Sequence, residues 1–396
     1  MRVRHLFPLL VLLCVLGCGG TDTPPAPEKP DTPQEPSKPA WTATELVFAF
    51  PESSKKRYSY CPVALQQDNG DRYVYMCANP PADPSASLYD TIIDNIYMFV
   101  EHPDGTRTTE KSVLQPGEAY DDHHVCDPSV IEGAFRMDGT TYRYAMFYTT
   151  GIHEYDYCEL AIAFSNDLNA DRWIKYTGGP IVRKTWDTEG DLPWSGGNCW
   201  GVGQPSAISL DKKGKVLLTY SIGDLAGTRV AWRIIDLSDM SKPDMGTQRS
   251  MLTNGLKRSD GGQDIASNLD FAVDAERDRI IMIRDVRPFP VSYPTFIPAT
   301  LEVMYLSFSG FQQNVGTWKS LARITPELSG FPRNHNAGFL RDNFGYIDNY
   351  RTPTVYFTVS KQSPDVYETA EQMCCWTYDI YMQLQKKDSQ ALSQCD

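Results

Sequence analysis

The sequence predicts an all-β protein whose body is a five-bladed β-propeller, carried behind a signal peptide and a Pro-rich stalk. Three observations predict the propeller. A short segment recurs five times at blade-length intervals, each copy is followed by a turn and a second apolar run, and no long stretch shows the 3.6-residue apolar period of a helix.

The recurring segments read Cys-Pro-Val-Ala-Leu at 61–65, Asp-Pro-Ser-Val-Ile at 127–131, Gln-Pro-Ser-Ala-Ile at 204–208, Asp-Phe-Ala-Val-Asp at 270–274 and Asn-Ala-Gly-Phe-Leu at 336–340. Each leads with a polar or small residue, and the first residues stand 66, 77, 66 and 66 positions apart. Turns rich in Asp, Asn and Gly follow at 68–70, 137–139, 211–214, 274–278 and 341–345. Such residues tolerate the positive φ that a tight hairpin requires. Then come aromatic and β-branched runs at 72–76, 142–148, 215–220, 279–283 and 354–359, the composition of second strands. Third strands are expected at 95–100, 160–165, 229–235, 301–306 and 379–383, with outer strands near Trp173 and Trp318. A β-sandwich would not return its strands at this period. Radial repetition does, and it sets the first strand of each blade along a central channel.

The N-terminus is of another kind. Arg2, Arg4 and His5 make a basic head, and residues 6–17 are apolar apart from Pro8 and the closing Gly17. A run of about a dozen residues is short of the roughly 20 that span a bilayer and suits the core of a signal peptide. It ends in Val15-Leu16-Gly17-Cys18, which resembles a lipobox with Cys18 as the lipidated residue. Residues 21–39 are rich in Pro and charge and nearly free of apolar side chains, so they cannot bury enough surface to fold and make a spacer. The expected organisation is a signal peptide at 1–17, a lipidated cysteine and linker at 18–40, and a propeller at 41–396. Such a chain is held at the bacterial cell envelope and faces the periplasm or the cell exterior.

A net charge of −13 argues against nucleic acid and against an anionic membrane surface as partners, since both reward Lys and Arg. Membrane contact is expected through the lipid alone. The body holds eight cysteines: Cys61, Cys77, Cys126, Cys158, Cys199, Cys374, Cys375 and Cys395. An even number in an oxidising compartment permits disulfides, whose pairing the sequence leaves open. Their spacings are not those of a zinc site.

The stretch from His124 through Asp127-Pro-Ser to Ile131, with its Asp-Gly turn and Tyr144 to Tyr148, resembles a blade of the family 43 glycoside hydrolases and their relatives. So do residues 161–168 with Trp173 behind them, and 201–206. The resemblance covers most of the body and implies a five-bladed fold acting on glycans. It also implies an aspartate base heading the first blade, an aspartate tuning the acid on the second, and a glutamate acid on the third. Asp127 matches the second position. The first position is Cys61 and the third is Gln204. Inverting hydrolysis needs one carboxylate to activate water and a carboxylic acid to protonate the leaving oxygen, and a glutamine amide does neither.

Other residues are candidates for the missing roles. Glu189 and Asp191 precede the third blade in a loop edged by Trp194, and Asp121 and Asp122 precede the second blade beside His123 and His124. Asp270 heads the fourth segment, and His335 with Asn336 heads the fifth. Asp127, Glu189 and Asp191 are thus the catalytic candidates. His124, Trp200, Gln204, Asp270, His335 and Asn336 are candidates for binding an oligosaccharide or polysaccharide. Each has an ordinary counterpart as a solvated loop acid, a turn-former or a tie between blades, and Trp200 and Tyr120 equally suit interblade packing. Two functions stay open: a glycosidase with rearranged carboxylates, or a non-catalytic carbohydrate-binding propeller. Neither requires a cofactor, and a calcium ion in the channel is left undecided.

Overall fold

A computed structural model describes residues 40–51, 57–80, 93–151, 157–184, 200–224, 226–291, 297–361 and 381–390. Cys18, the signal peptide, the stalk, Glu189, Asp191 and Trp194 lie outside the described residues, as do Cys199, Cys374, Cys375 and Cys395.

The chain is a β-propeller. Its strands fall in order into five antiparallel groups. The first blade is Ser59–Gln66, Arg72–Ala78, Asn95–Glu101 and Lys111–Leu114. The second is His124–Met137, Thr140–Gly151, Cys158–Ser165 and Ile174–Lys175. The third is Gly201–Ser209, Lys215–Asp224, Gly227–Asp236 and Arg249–Ser250. The fourth is Asp270–Asp274, Arg279–Val286, Thr300–Ser307 and Lys319–Ile324. The fifth takes Arg333–Arg341, Thr354–Lys361 and Tyr381–Gln390, and completes its outer edge from the other end of the body. There Ala40–Trp41 and Glu45–Phe48 both pair antiparallel with Tyr381–Gln390. The outer edge of this blade is thus closed by strands from the start of the domain, which the repeat alone did not suggest.

The core has the same symmetry. Apolar clusters lie between neighbouring blades. One joins the first and second through Val63, Tyr75, Tyr148 and Trp173, and another joins the second and third through Phe135, Phe147, Leu218 and Tyr220. Trp232 and Phe271 share a cluster across the third and fourth, Ile281 and Phe339 across the fourth and fifth, and Phe99 and Tyr356 across the fifth and first. The last pair completes the circle, and the inner strands of blades five and one also pair parallel at Leu340 and Ala64. Being covered on both faces explains why second strands such as Arg279–Val286 read as continuous apolar runs rather than alternating ones. Trp173 and Trp318, flagged as outer-strand markers, are buried in these seams.

Turn chemistry follows the sequence. Asp138 and Gly139 both sit at positive φ, 49° and 81°, as the two central residues of a tight hairpin turn require.

Candidate functional site

The inner strands bring five residues from distant parts of the chain to one pocket. Cys61, Asp127, Gln204, Asn268 and Asn336 line it, together with Asp270 and the prolines 62, 128 and 205. Its empty space is about 380 Å³, including the part open to solvent. Each of the five leading residues has left-handed backbone, with φ of 48°, 49°, 55°, 46° and 41° in chain order. In blades one, two, three and five the pairing register shifts at that point, between Tyr60 and Val63, Cys126 and Ser129, Gly203 and Ser206, and His335 and Gly338. A bulge of this kind re-aims one side chain out of the ladder; these four side chains meet at the channel mouth with that of Asn268, which has the same backbone conformation just ahead of its strand.

This geometry corrects the register of the fourth blade. The residue with bulge conformation is Asn268, not Asp270, so Asp270 is the counterpart of Ser129 and Ser206. Asp270 is a tie between blades. It accepts from Ser206 Oγ at 2.6 Å and from the backbone N–H of Phe339 at 2.9 Å, and it faces the buried Arg341 guanidinium at 3.3 Å.

A hydrogen-bonded chain runs around the mouth. The Cys61 thiol donates to Asp127 Oδ1 at 2.8 Å, and Thr149 Oγ1 donates to Asp127 Oδ2 at 2.8 Å. Thr149 Oγ1 also accepts from the backbone N–H of Gln204 at 2.9 Å. The Gln204 amide pairs with Asn268 in both directions, Nε2 donating to Asn268 Oδ1 and Oε1 accepting from the Asn268 backbone at 3.1 Å. Asn268 Nδ2 donates to Asp285 Oδ2 at 2.7 Å, and that oxygen is also 2.7 Å from His335 Nδ1. The backbone N–H of Asn336 closes on Asp285 Oδ1 at 3.3 Å. The Asn336 carboxamide itself makes no hydrogen bond among the described residues.

Thr149 and Asp285 were not among the sequence candidates. Both lie on second strands, opposite the residue that precedes a leading residue or its neighbour. Cys77, Ser221 and Thr358 occupy the matching places in the other blades. The available signal was a polar or cysteine residue near the end of each second strand; in the fourth blade Arg284-Asp285 interrupts an otherwise apolar run. Asp94 was also missed. It is buried beneath the site, accepting from Tyr60 Oη at 2.8 Å and from Tyr58 Oη.

Burial dominates the electrostatics. It holds the Asp127 carboxyl above the usual carboxylate range, and the hydrogen bonds from Cys61 and Thr149 offset this only in part. Burial pushes the Cys61 thiol well up, and the neighbouring Asp127 charge adds to the effect. A thiol so disfavoured as thiolate makes a poor base.

The remaining candidates divide. His124 is half-buried at the start of the second blade's inner strand and does not line the pocket; its Nδ1 is buried and without a partner among the described residues. Its ring lies over Gly151, where a Cβ would come within 1.9 Å of it. Trp200 is half-buried and packs on Gly203 beside the third leading residue. His335 is buried and held by Asp285. Asp121 is structural, fully buried and bound by Lys175 at 2.7 Å and Tyr148 at 3.0 Å.

Among the described residues the one cluster of His, Cys, Asp and Glu side chains that could hold an ion is Cys61, Cys77, Cys126 and Asp127; with a single carboxylate it is not the oxygen-rich set that calcium takes.

The fold is a β-propeller whose leading residues converge on one pocket, and solved glycoside hydrolases share that fold. Solved structures with this fold include Zg3597, a family 117 glycoside hydrolase from Zobellia galactanivorans (TM-score 0.55, 12% identity, covering 91% of this chain and 92% of that one). The catalytic domain of the Coprinopsis cinerea family 62 α-L-arabinofuranosidase is similar at TM-score 0.52 and 9% identity, over 89% of this chain and 98% of that one. An N-acetylgalactosamine deacetylase from F. plautii matches at TM-score 0.53 and 14% identity, over 89% and 96%. The superpositions show a common fold. No protein-family model matches the sequence, and no curated protein sequence does.

Proposed function

We propose that the chain is a cell-envelope lipoprotein that binds an oligosaccharide or polysaccharide at the mouth of its five-bladed propeller. The observation that carries this reading is the convergence of one carboxylate, three amides and a thiol from five blades on a single open pocket. Sugar hydroxyls need such groups. Each Asp127 oxygen accepts one internal hydrogen bond and keeps capacity for another. Asn336 offers an uncommitted amide to the pocket, and the half-buried Trp200 ring stands against Gly203, next to the third leading residue. The proteins that share the fold act on sugars by their names, which supports the same class of ligand.

Binding is favoured over hydrolysis because the third leading residue is an amide and the first a thiol. One observation favours the second reading: a carboxyl raised by burial, as at Asp127, is the state in which a general acid is protonated. Calorimetric titration against an oligosaccharide panel, followed by assay of the bound sugar for new reducing ends, separates the readings. Saturable binding without product is expected. Product would establish hydrolysis, and no binding to any glycan would remove both.

A further inference from the structure

Sulfur is concentrated at a point of the channel mouth that glycan binding does not require. Cys61 leads the inner strand of the first blade, and Cys77 lies on the next strand opposite Tyr60. Cys126 immediately precedes the leading residue of the second blade. Cys77 and Cys126 form a disulfide across the two blades, while Cys61 is a free thiol. The sulfur atoms of all three and a carboxylate oxygen of Asp127 lie within 4.8 Å of one another.

The group is built into the fold. The Asp127 backbone N–H donates to Cys77 Sγ at 2.9 Å, the Cys61 thiol donates to the Asp127 carboxylate, and the Tyr60 hydroxyl is 2.9 Å from Cys126 Sγ. Three sulfurs and one carboxylate suit a tetrahedral, thiophilic ion. Zinc binds sulfur at about 2.3 Å and carboxylate oxygen at about 2.0–2.2 Å, which sets donors roughly 3.5–3.8 Å apart. The cluster is near that size already, and its largest adjustment is to part the two bonded sulfurs.

We propose that reduction of the Cys77–Cys126 disulfide creates a tetrahedral site for a thiophilic divalent cation such as zinc, with Cys61, Cys77, Cys126 and Asp127 as ligands. The disulfide is then the oxidised, metal-free form of the same site. Reduction by a dithiol transfers two electrons. One reductant thiolate attacks a disulfide sulfur, its second thiol resolves the mixed disulfide, and the two freed cysteines take up two protons. The cation next displaces the three thiol protons to solvent. Asp127 then serves the cation, so metal and sugar compete for it.

The test uses the folded body reduced with a water-soluble phosphine, which takes up oxygen from water as it converts the disulfide to two thiols. Titration with cobalt(II) should give one equivalent of binding with thiolate-to-cobalt charge-transfer bands, abolished by zinc and absent from the oxidised protein. Cys61→Ser should lose about a third of the charge-transfer intensity. Its affinity should fall by more than the roughly 10–100-fold that removal of an outer-shell partner costs. Asp127→Asn should weaken binding with the charge-transfer intensity kept, and Cys158→Ser should change nothing. A reduced protein that keeps its β-sheet circular dichroism but shows no such bands overturns the proposal. So does Cys61→Ser binding as well as wild type, or loss of the fold on reduction, since the fold alone holds the four donors together. Sugar binding by the oxidised protein is measured separately, so the two readings fail independently.

Discussion

The Cys61 thiol donates to the Asp127 carboxylate across the seam between the first two blades, at 2.8 Å. A carboxylate in place of the thiol at this distance from Asp127 would repel it. The thiol replaces that repulsion with a hydrogen bond. Thr149 satisfies the other Asp127 oxygen and passes the chain on to Gln204, Asn268 and Asp285. Among the five leading residues Asp127 alone is a carboxylate; Asp270 also lines the pocket but is held by Ser206, Phe339 and Arg341, and Asp285 is buried behind Asn268 and His335.

Asp127 should leave a signature in the pH dependence of stability. Burial raises its carboxyl in the folded state, so the native protein holds this proton more tightly than the unfolded chain. Its contribution is therefore greatest in acid and declines as pH rises from the unfolded value of about 3.9 through the raised folded value. Asp127→Asn removes the decline. Denaturant titrations between about pH 4 and 7 should show the variant gaining on wild type as pH rises; a gap that is constant or moves the other way contradicts the assignment.

His124→Ala should lower stability and leave sugar affinity nearly unchanged. Its ring packs on Gly151 and beside His123 with Nδ1 buried, so truncation removes packing at the start of the second blade. A loss of about 0.5–3 kcal/mol is expected, the usual range for a point substitution. Thermal melts beside calorimetry check it, and a fall in affinity with an unchanged melting temperature would place the ring in the site.

Asp270→Ala should cost stability more heavily. It removes the acceptor shared by Ser206 and Phe339 and leaves the buried Arg341 charge without its carboxylate, held only by Phe271 O and Ser129 Oγ. Breaking one side of a buried pair costs about 3–5 kcal/mol. Urea denaturation should show a loss of that size, and a loss under about 1 kcal/mol would mean that the tie between blades is immaterial.

The propeller was legible because its leading segments are short, similar and evenly spaced. The fourth blade was misread by two residues for a physical reason. Asp270 leads an apolar run as the other leading residues do, whereas Asn268 is followed by Leu269 where three blades have proline. Backbone conformation, not side-chain pattern, identifies the bulge. Thr149, Asp285 and Asp94 were missed because they reach the site from second strands and a connecting segment: a polar residue near a strand end marks a position but not its partners, and only folding sets them beside the inner strands. The N-terminal strands that complete the fifth blade carry no repeat signature at all.

Cys18→Ser should abolish lipid attachment. The boundary at Leu16-Gly17-Cys18 and the spacer after it motivate the expectation. Mass spectrometry of the mature N-terminus after membrane fractionation checks it; an unmodified chain beginning elsewhere would contradict the anchor.

The most direct measurement is calorimetric titration of wild type and Asp127→Asn with one oligosaccharide that wild type binds, with thermal melts of both. A carboxylate accepts stronger hydrogen bonds from sugar hydroxyls than the near-isosteric amide does. The account predicts an affinity loss of about 1.5–3 kcal/mol, the range for a hydrogen bond to a charged group, with no comparable fall in melting temperature. Equal affinity in the two proteins, with Asp127→Asn melting clearly lower, would contradict a sugar site at the channel mouth.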